Sequence, residues 1–211
     1  MRHIMVLNAK GGSGKTTIAT NLAAWFASMG QEVILADLDP QGSSLAWLAA
    51  RSPARPRIRG VAASREGVRP GRNTDVVIYD APAAVHGRDL GTLLRKVETV
   101  LIPVLPSPID MRAASDFVAE VRKNSRVDRK EVKIALVANR VREFTNIYHE
   151  LESFLKKMKI PVVTHLRDNM NYIRAAERGL GIHEFAPHAT DIDRQQWEPL
   201  VKWVKSKRSQ P

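Results

Sequence analysis

Lys10-Gly11-Gly12-Ser13-Gly14-Lys15-Thr16-Thr17 lies between the apolar run Ile4-Met5-Val6-Leu7 and a stretch in which Ile18, Leu22, Phe26 and Met29 recur at helical spacing up to Gly30. A run of strand length, a glycine-rich turn and a helix in that order place the turn at a helix N-terminus, where free N–H groups and the macrodipole attract anions. Gly11, Gly12 and Gly14 let backbone N–H groups close on phosphate oxygens. Lys15 supplies a point charge for terminal phosphates, and the Thr16 hydroxyl is placed to ligate magnesium. One lysine is enough for that task, so Lys10 needs its own explanation.

Outward from the turn the chain alternates between strand and helix patterns. Glu32 to Ala36, Thr74 to Tyr79, Val100 to Leu105, Val132 to Ala138 and Ile160 to Thr164 read as short, nearly continuous apolar strands. Helical spacing covers about Arg88 to Val97, Ile109 to Lys123, Phe144 to Lys159, Asn169 to Arg178 and Asp193 to Lys205. Strands apolar on both sides and separated by helices predict an α/β fold: a doubly wound, mainly parallel sheet with helices on both faces and ligands at the strand carboxyl ends. No internal repeat is visible, and residues 1–211 are expected to form a single domain.

Three aspartates fall where nucleotide chemistry needs them. Asp37 and Asp39 end the second strand in Asp37-Leu38-Asp39-Pro40-Gln41-Gly42, and Asp80 ends the third. A hydrophobic run closing on one aspartate is how such proteins offer a carboxylate to magnesium, so Asp80 is expected there. A lone aspartate after a strand is as readily a turn or helix cap; three of them behind a phosphate loop favour the metal reading. Alternate residues of an extended segment point the same way, so Asp37 and Asp39 can both face the phosphates, Asp39 farther out.

The composition narrows the partners. The chain has 211 residues, is 44% hydrophobic and contains no cysteine, which excludes structural disulfides, thiolate metal sites and cysteine-held iron–sulfur clusters. No apolar run approaches the roughly 18 residues that span a bilayer, and the N-terminus reads as a core strand rather than a signal peptide, so a cytoplasmic location is expected. With 33 Lys+Arg against 22 Asp+Glu, the net charge of +11 points to a polyanionic partner.

The form Lys-Gly-Gly-x-Gly-Lys-Thr is the deviant Walker A motif, and the whole chain resembles the ParA/MinD group of P-loop ATPases, most closely the short ParA-type partition and positioning proteins. The resemblance implies that Lys10 reaches across a dimer interface to the phosphates of the partner's ATP, so that two subunits close around two nucleotides. It casts Asp37-Leu38-Asp39-Pro40-Gln41-Gly42 as switch I, with Asp37 supporting the Mg2+ shell and Asp39 orienting the attacking water. Asp80 to Asp89 becomes switch II, shaped by Pro82 and Gly87. Asn139 falls where relatives place an asparagine on the adenine edge; the alternative is a strand-end turn. Asn139-Arg140-Val141-Arg142 lacks the aspartate of a guanine reader, so ATP is preferred. The phosphate contacts carried over are Lys10, Gly11, Gly12, Ser13, Gly14, Lys15, Thr16 and Thr17. The implied cycle is slow ATP hydrolysis stimulated by an adaptor protein, with non-specific DNA bound in the ATP state, to position a plasmid, a chromosome or a protein assembly such as a carboxysome over the nucleoid. The absent cysteines disfavour two relatives with the same loop, the nitrogenase iron protein and the arsenite-pump ATPases.

Three basic clusters compete for the polyanion. Arg51 to Arg72 holds seven arginines and one acid, Glu66, with Pro53, Pro56 and Pro70 expected to break regular structure. Lys156, Lys157 and Lys159 close one helix. Arg174, Arg178, Lys202, Lys205, Lys207 and Arg208 come from the C-terminal part, where the resemblance puts DNA contacts, and are preferred. No recognition helix or zinc finger is visible, so sequence-independent phosphate contact is expected. Two other readings remain. Trp197, Leu200, Val201 and Val204 beside Lys202, Lys205 and Lys207 form the stripe of an interfacial helix, as in MinD-like membrane ATPases. Some ATP-dependent small-molecule synthetases use related loops, but would need a further polar pocket.

Overall fold

The alternation is realised as one seven-stranded sheet in a computed structural model that describes residues 1–63 and 68–211. In chain order the elements are β1 (Arg2–Val6), α1 (Lys15–Ser28), β2 (Val33–Asp37), α2 (Ser43–Ala49), β3 (Ile58–Ala62), β4 (Val76–Asp80), α3 (Gly87–Leu94), β5 (Thr99–Val104), α4 (Pro108–Arg122), α5 (Ser125–Asp128), β6 (Lys133–Val141), α6 (Asn146–Lys157), β7 (Val162–Arg167), α7 (Met170–Glu177) and α8 (Pro187–Lys205). The strands lie in the order β3-β2-β4-β1-β5-β6-β7 and every pairing is parallel. All carboxyl ends therefore share one edge, and the phosphate loop follows the central strand.

Strand alternation divides the core in two. From β1, Ile4 and Val6 face a layer that includes Ile18 and Leu22 of α1, Trp47 of α2 and Trp197 of α8. Met5 and Leu7 face the opposite layer, with Leu90 of α3, Phe117 of α4 and Leu151 of α6. Burial on both faces is what the unbroken apolar strands require. The doubly wound reading holds, and the sheet is wholly parallel.

Two elements escape the sequence patterns. The seven-residue α2 buries only Ser44 and Trp47, too short a stripe for helical periodicity to register. β3 lies inside the arginine-rich segment expected to be irregular, although the prolines flank the strand and do not interrupt it. Among the described residues it pairs only with β2, and it buries only Ile58, as an edge strand does. Arg65 and Glu66 of that segment lie outside the described residues.

α8 begins before the expected Asp193 and breaks at Thr190, whose φ of −135° is not helical. Its apolar stripe is spent on the sheet: Trp197, Leu200, Val201 and Val204 are all buried, and the Trp197 indole N–H donates to the Tyr172 hydroxyl at 2.9 Å. The interfacial-helix reading thereby loses its membrane-facing side. Among the described residues no helix is long and apolar enough to cross a membrane.

Candidate nucleotide site

The loop after β1 is preformed and braced from three directions. The Asn8 side chain donates to the Pro103 carbonyl at 2.7 Å and accepts from the Lys10 N–H at 3.0 Å, tying the loop's first residue to β5. The Asn139 amide, at the end of β6, donates to the Ser13 carbonyl at 2.9 Å. On the third side the Ala84 N–H donates to the Ala9 carbonyl at 2.7 Å, linking the segment after Asp80 to the loop. Gly12 and Gly14 have φ of 75° and 91°, where a side chain is strained. A Cβ on Gly14 would also stand 2.2 Å from the Asn139 amide nitrogen. Asn139 thus locks the loop from beneath.

The two lysines part company. Lys15 is buried, 7% exposed, and its ammonium donates to the Lys10 carbonyl at 3.2 Å, so it curls back over the loop. Burial lowers its pKa, while Asp80 and Asp39 act in the opposite direction. Lys10 points away: its ammonium meets Asp110 at 2.8 Å on the first turn of α4. Asp110 also accepts a hydrogen bond from Ser107, the cap of that helix, at 2.5 Å. The Lys10 side chain keeps 35% of its exposure. Within one chain, therefore, only Lys15 is committed to the loop.

The aspartates also separate. One oxygen of Asp80 accepts from the Thr16 hydroxyl at 2.7 Å and from the Ser44 hydroxyl at 2.5 Å; the other is buried without a partner. Burial, reinforced by Asp37, pushes its pKa up to about 6, against the opposing effect of Ser44, Thr16 and Lys15. A desolvated carboxylate with an orphaned oxygen beside Thr16 is a fit partner for a hydrated cation. Among the described residues no group of three His, Cys, Asp or Glu side chains is placed to hold a metal. A cation here would be completed by the Thr16 hydroxyl, phosphate oxygens and water.

Asp37 is engaged by backbone N–H groups on both of its oxygens. One of its oxygens accepts from the Asp39 N–H at 3.0 Å, the other from the Ser44 and Leu45 N–H groups at 2.9 and 3.1 Å. Its carboxylate is thus occupied in capping α2 and shaping the turn. Asp39 is partly exposed, accepts from the Gln41 N–H at 3.0 Å and lines the cleft. Asn8 and Ser44 carry no motif signal that would have singled them out.

The cleft, about 840 Å³, runs from Gly11, Lys15, Thr16 and Asp39 to Asn139, Arg140, Arg142, Asp168, Met170 and Ile173. At its far end Asp168 is held by Arg142 at 2.8 Å and by Arg140 at 3.5 Å. A second hollow of about 870 Å³, between α4 and α6, contains none of the phosphate-loop residues. Ile109, Phe144, Met170 and Ile173, all just beyond the carboxyl ends of β5, β6 and β7, are exposed large apolar side chains.

The fold divides the C-terminal basic cluster. Arg174 on α7 and Arg178 just past its end are exposed beside the cleft wall. Lys205, Lys207 and Arg208 end the chain at the other edge of the sheet, where Ser209 accepts hydrogen bonds from Arg2 and Thr99 at the starts of β1 and β5. Lys202 pairs with Glu198 at 3.3 Å. Lys156, Lys157 and Lys159 remain exposed at the end of α6. Arg51 is not a surface cation: it forms a two-bonded pair with Glu184 at 2.7 Å, both side chains 4% exposed.

Residues 4–182 match the family model of the CobQ/CobB/MinD/ParA nucleotide binding domain. The chain is 30% identical over 189 residues to "Maintenance of carboxysome distribution protein A" of Halothiobacillus neapolitanus, an alignment covering 86% of each chain. It is 33% identical over 138 residues to "Chromosome-partitioning ATPase Soj" of Thermus thermophilus, covering 49% of this chain and 55% of that one. Among solved structures, the ATP complex of a Cyanothece McdA variant superposes with a TM-score of 0.78 at 15% identity, covering 95% and 96% of the two chains; at that identity the likeness is one of fold.

Proposed function

Because the chain belongs to the CobQ/CobB/MinD/ParA nucleotide-binding family, we propose that it is a ParA-type ATPase that closes as a dimer around two ATP molecules, holds DNA without sequence preference in that state, and releases it after hydrolysis promoted by an adaptor protein. The observation that carries this reading is the division between the two lysines. Lys15 already provides the buried phosphate cation of its own loop, whereas Lys10 stands outward, held only by Asp110. The apolar Ile109, Phe144, Met170 and Ile173 are exposed beyond the same strand ends, which supports this face as the dimer contact.

Within each subunit the loop N–H groups, Lys15, Thr16 and Thr17 receive the phosphates, and Thr16 with Asp80 holds the Mg2+ that neutralises charge on their oxygens. Asp39, partly exposed on the cleft, is placed to orient water. Lys10 of one subunit completes the cation set on the nucleotide of the other. Asn139 positions the loop, with Arg140 and Asp168 bordering the base. The relatives' names favour a carried cargo, with a carboxysome the first candidate in a cytoplasmic, nucleoid-associated cycle. The C-terminal cations Arg174, Arg178, Lys202, Lys205, Lys207 and Arg208 are the family-based assignment for DNA.

Sedimentation and binding to a labelled duplex with no nucleotide, ADP or ATP test this reading. A dimer and DNA binding confined to the ATP state are expected; equal binding in all three states contradicts it.

A further inference from the structure

The chain's positive charge is concentrated in one place, and it is not the C-terminal part. Residues 51–72 carry seven arginines against one glutamate, a net +6 of the total +11, whereas residues 170–211 carry seven cations against five acids, a net +2. Arg51 is consumed by Glu184. Arg57, Arg59, Arg69 and Arg72 are exposed and, among the described residues, hold no hydrogen bond or ion pair.

Strand geometry brings Arg57 and Arg59 to one side of β3. Ile58 and Gly60 of β3 face α2 and the core beneath it: Ile58 is buried there, and a Cβ on Gly60 would stand 2.5 Å from Leu48. By alternation Arg57 and Arg59 face the opposite side, with Val61. Ala63 and Val68 pack with Val61 against the other core layer and so lie on that same side, and Arg69 follows Val68 directly. The buried Arg51–Glu184 pair fixes the start of the segment, and Arg51 also donates to the Gly179 carbonyl at 2.9 Å, next to Arg178.

We propose that this arginine face, on the edge strand β3 and on residues 68–72, is the surface on which the protein holds the phosphate backbone of duplex DNA. The assignment rests on the DNA-binding reading given above and replaces its location. Guanidinium groups suit phosphates because they present paired donors and remain charged. Among the described residues this face contains no exposed large apolar side chain, so it lacks what an interfacial membrane site inserts.

The test compares binding of a labelled duplex of unrelated sequence, with ATP and Mg2+, across a salt series. Wild type, an edge variant (Arg57→Gln, Arg59→Gln, Arg69→Gln), its charge-keeping counterpart with lysine at the same three positions, and a C-terminal variant (Lys205→Gln, Lys207→Gln, Arg208→Gln) are measured together. Three lost phosphate contacts at about 0.9 each predict a log–log salt slope smaller by about 2.7 in the edge variant. The lysine version should keep the wild-type slope, the C-terminal variant should stay within about one unit of it, and all should bind ATP alike. An edge variant with the wild-type slope beside a C-terminal variant that loses binding overturns this location and leaves the ATPase cycle standing. Wild type that binds no DNA in any nucleotide state overturns the DNA reading itself. Vesicles of phosphatidylglycerol and phosphatidylcholine form the last arm: capture there without DNA binding, lost in the edge variant, overturns the assignment in favour of lipid.

Discussion

Replacing Asp110 with asparagine should make the ATP dimer tighter. If Lys10 serves the partner's nucleotide, it must first leave Asp110, so that contact opposes dimerisation. A charge-assisted hydrogen bond contributes about 1.5–3 kcal/mol, and screening around a lysine that is a third exposed reduces this to about 1–2 kcal/mol. Each dimer breaks two such contacts, one per subunit. The released cost of about 2–4 kcal/mol corresponds to a dimer dissociation constant lower by about 30- to 1000-fold. Sedimentation velocity with ATP and Mg2+, in an Asp39→Ala background so that nucleotide is not consumed, reads that constant. Ser107→Ala is the control: it removes the helix cap while leaving the carboxylate for Lys10, and should not tighten the dimer. An Asp110→Asn dimer of unchanged or weaker affinity would refute the reasoning, showing that Asp110 does not hold Lys10 back.

Other consequences follow from single contacts. The Asp80 carboxyl titrates at about 6 in the fold against 3.8 as a free side chain, so between those values the folded chain keeps a proton that the unfolded chain has lost. Stability therefore falls as pH rises through that window, by up to about 3 kcal/mol at 1.36 kcal/mol per unit. Without nucleotide, Asp80→Asn should melt higher than wild type at pH 7.5 and equally at pH 4, while losing Mg2+-dependent ATP binding; equal melting at both pH values contradicts this. Arg51→Ala strands Glu184 in the interior and should cost about 3–5 kcal/mol in urea unfolding; a loss under 1 kcal/mol would mean water reaches the site. Gly14→Ala sets a Cβ against the Asn139 amide at a φ of 91° and should weaken ATP binding at least about tenfold by calorimetry, with the Asn139→Ala variant partly relieving it.

What the sequence disclosed follows from how local each signal is. The phosphate loop and the strands β1, β2, β4, β5, β6 and β7 were legible because fixed glycines and unbroken apolar runs depend on little outside themselves. α2 was not, since seven residues with two buried positions carry no period, and β3 was masked by arginines that point away from its one buried residue, Ile58. That Asp80 lies beside the phosphate loop, against Thr16, could be read from its place at a strand end. That Asp37 caps α2 could not, because its partners, Ser44 and Leu45, belong to a helix the pattern did not reveal. Arg174 and Arg208 look like one cluster along the chain, yet α8 runs the depth of the sheet between them. Likewise Arg51 reads as surface charge until Glu184 is brought against it.

The most direct test of Lys10 acting between subunits is to mix two inactive variants. Lys10→Ala keeps Asp39 and Lys15 but offers its partner no lysine; Asp39→Ala offers Lys10 but cannot position water. In an equal mixture the two-fold dimers assort at random, and only mixed ones contain a complete site, on the Lys10→Ala subunit. Steady-state ATP hydrolysis should then reappear at about a quarter of the wild-type rate per site, each variant alone being silent. A mixture as silent as its components would place Lys10 on its own subunit's nucleotide and contradict the account.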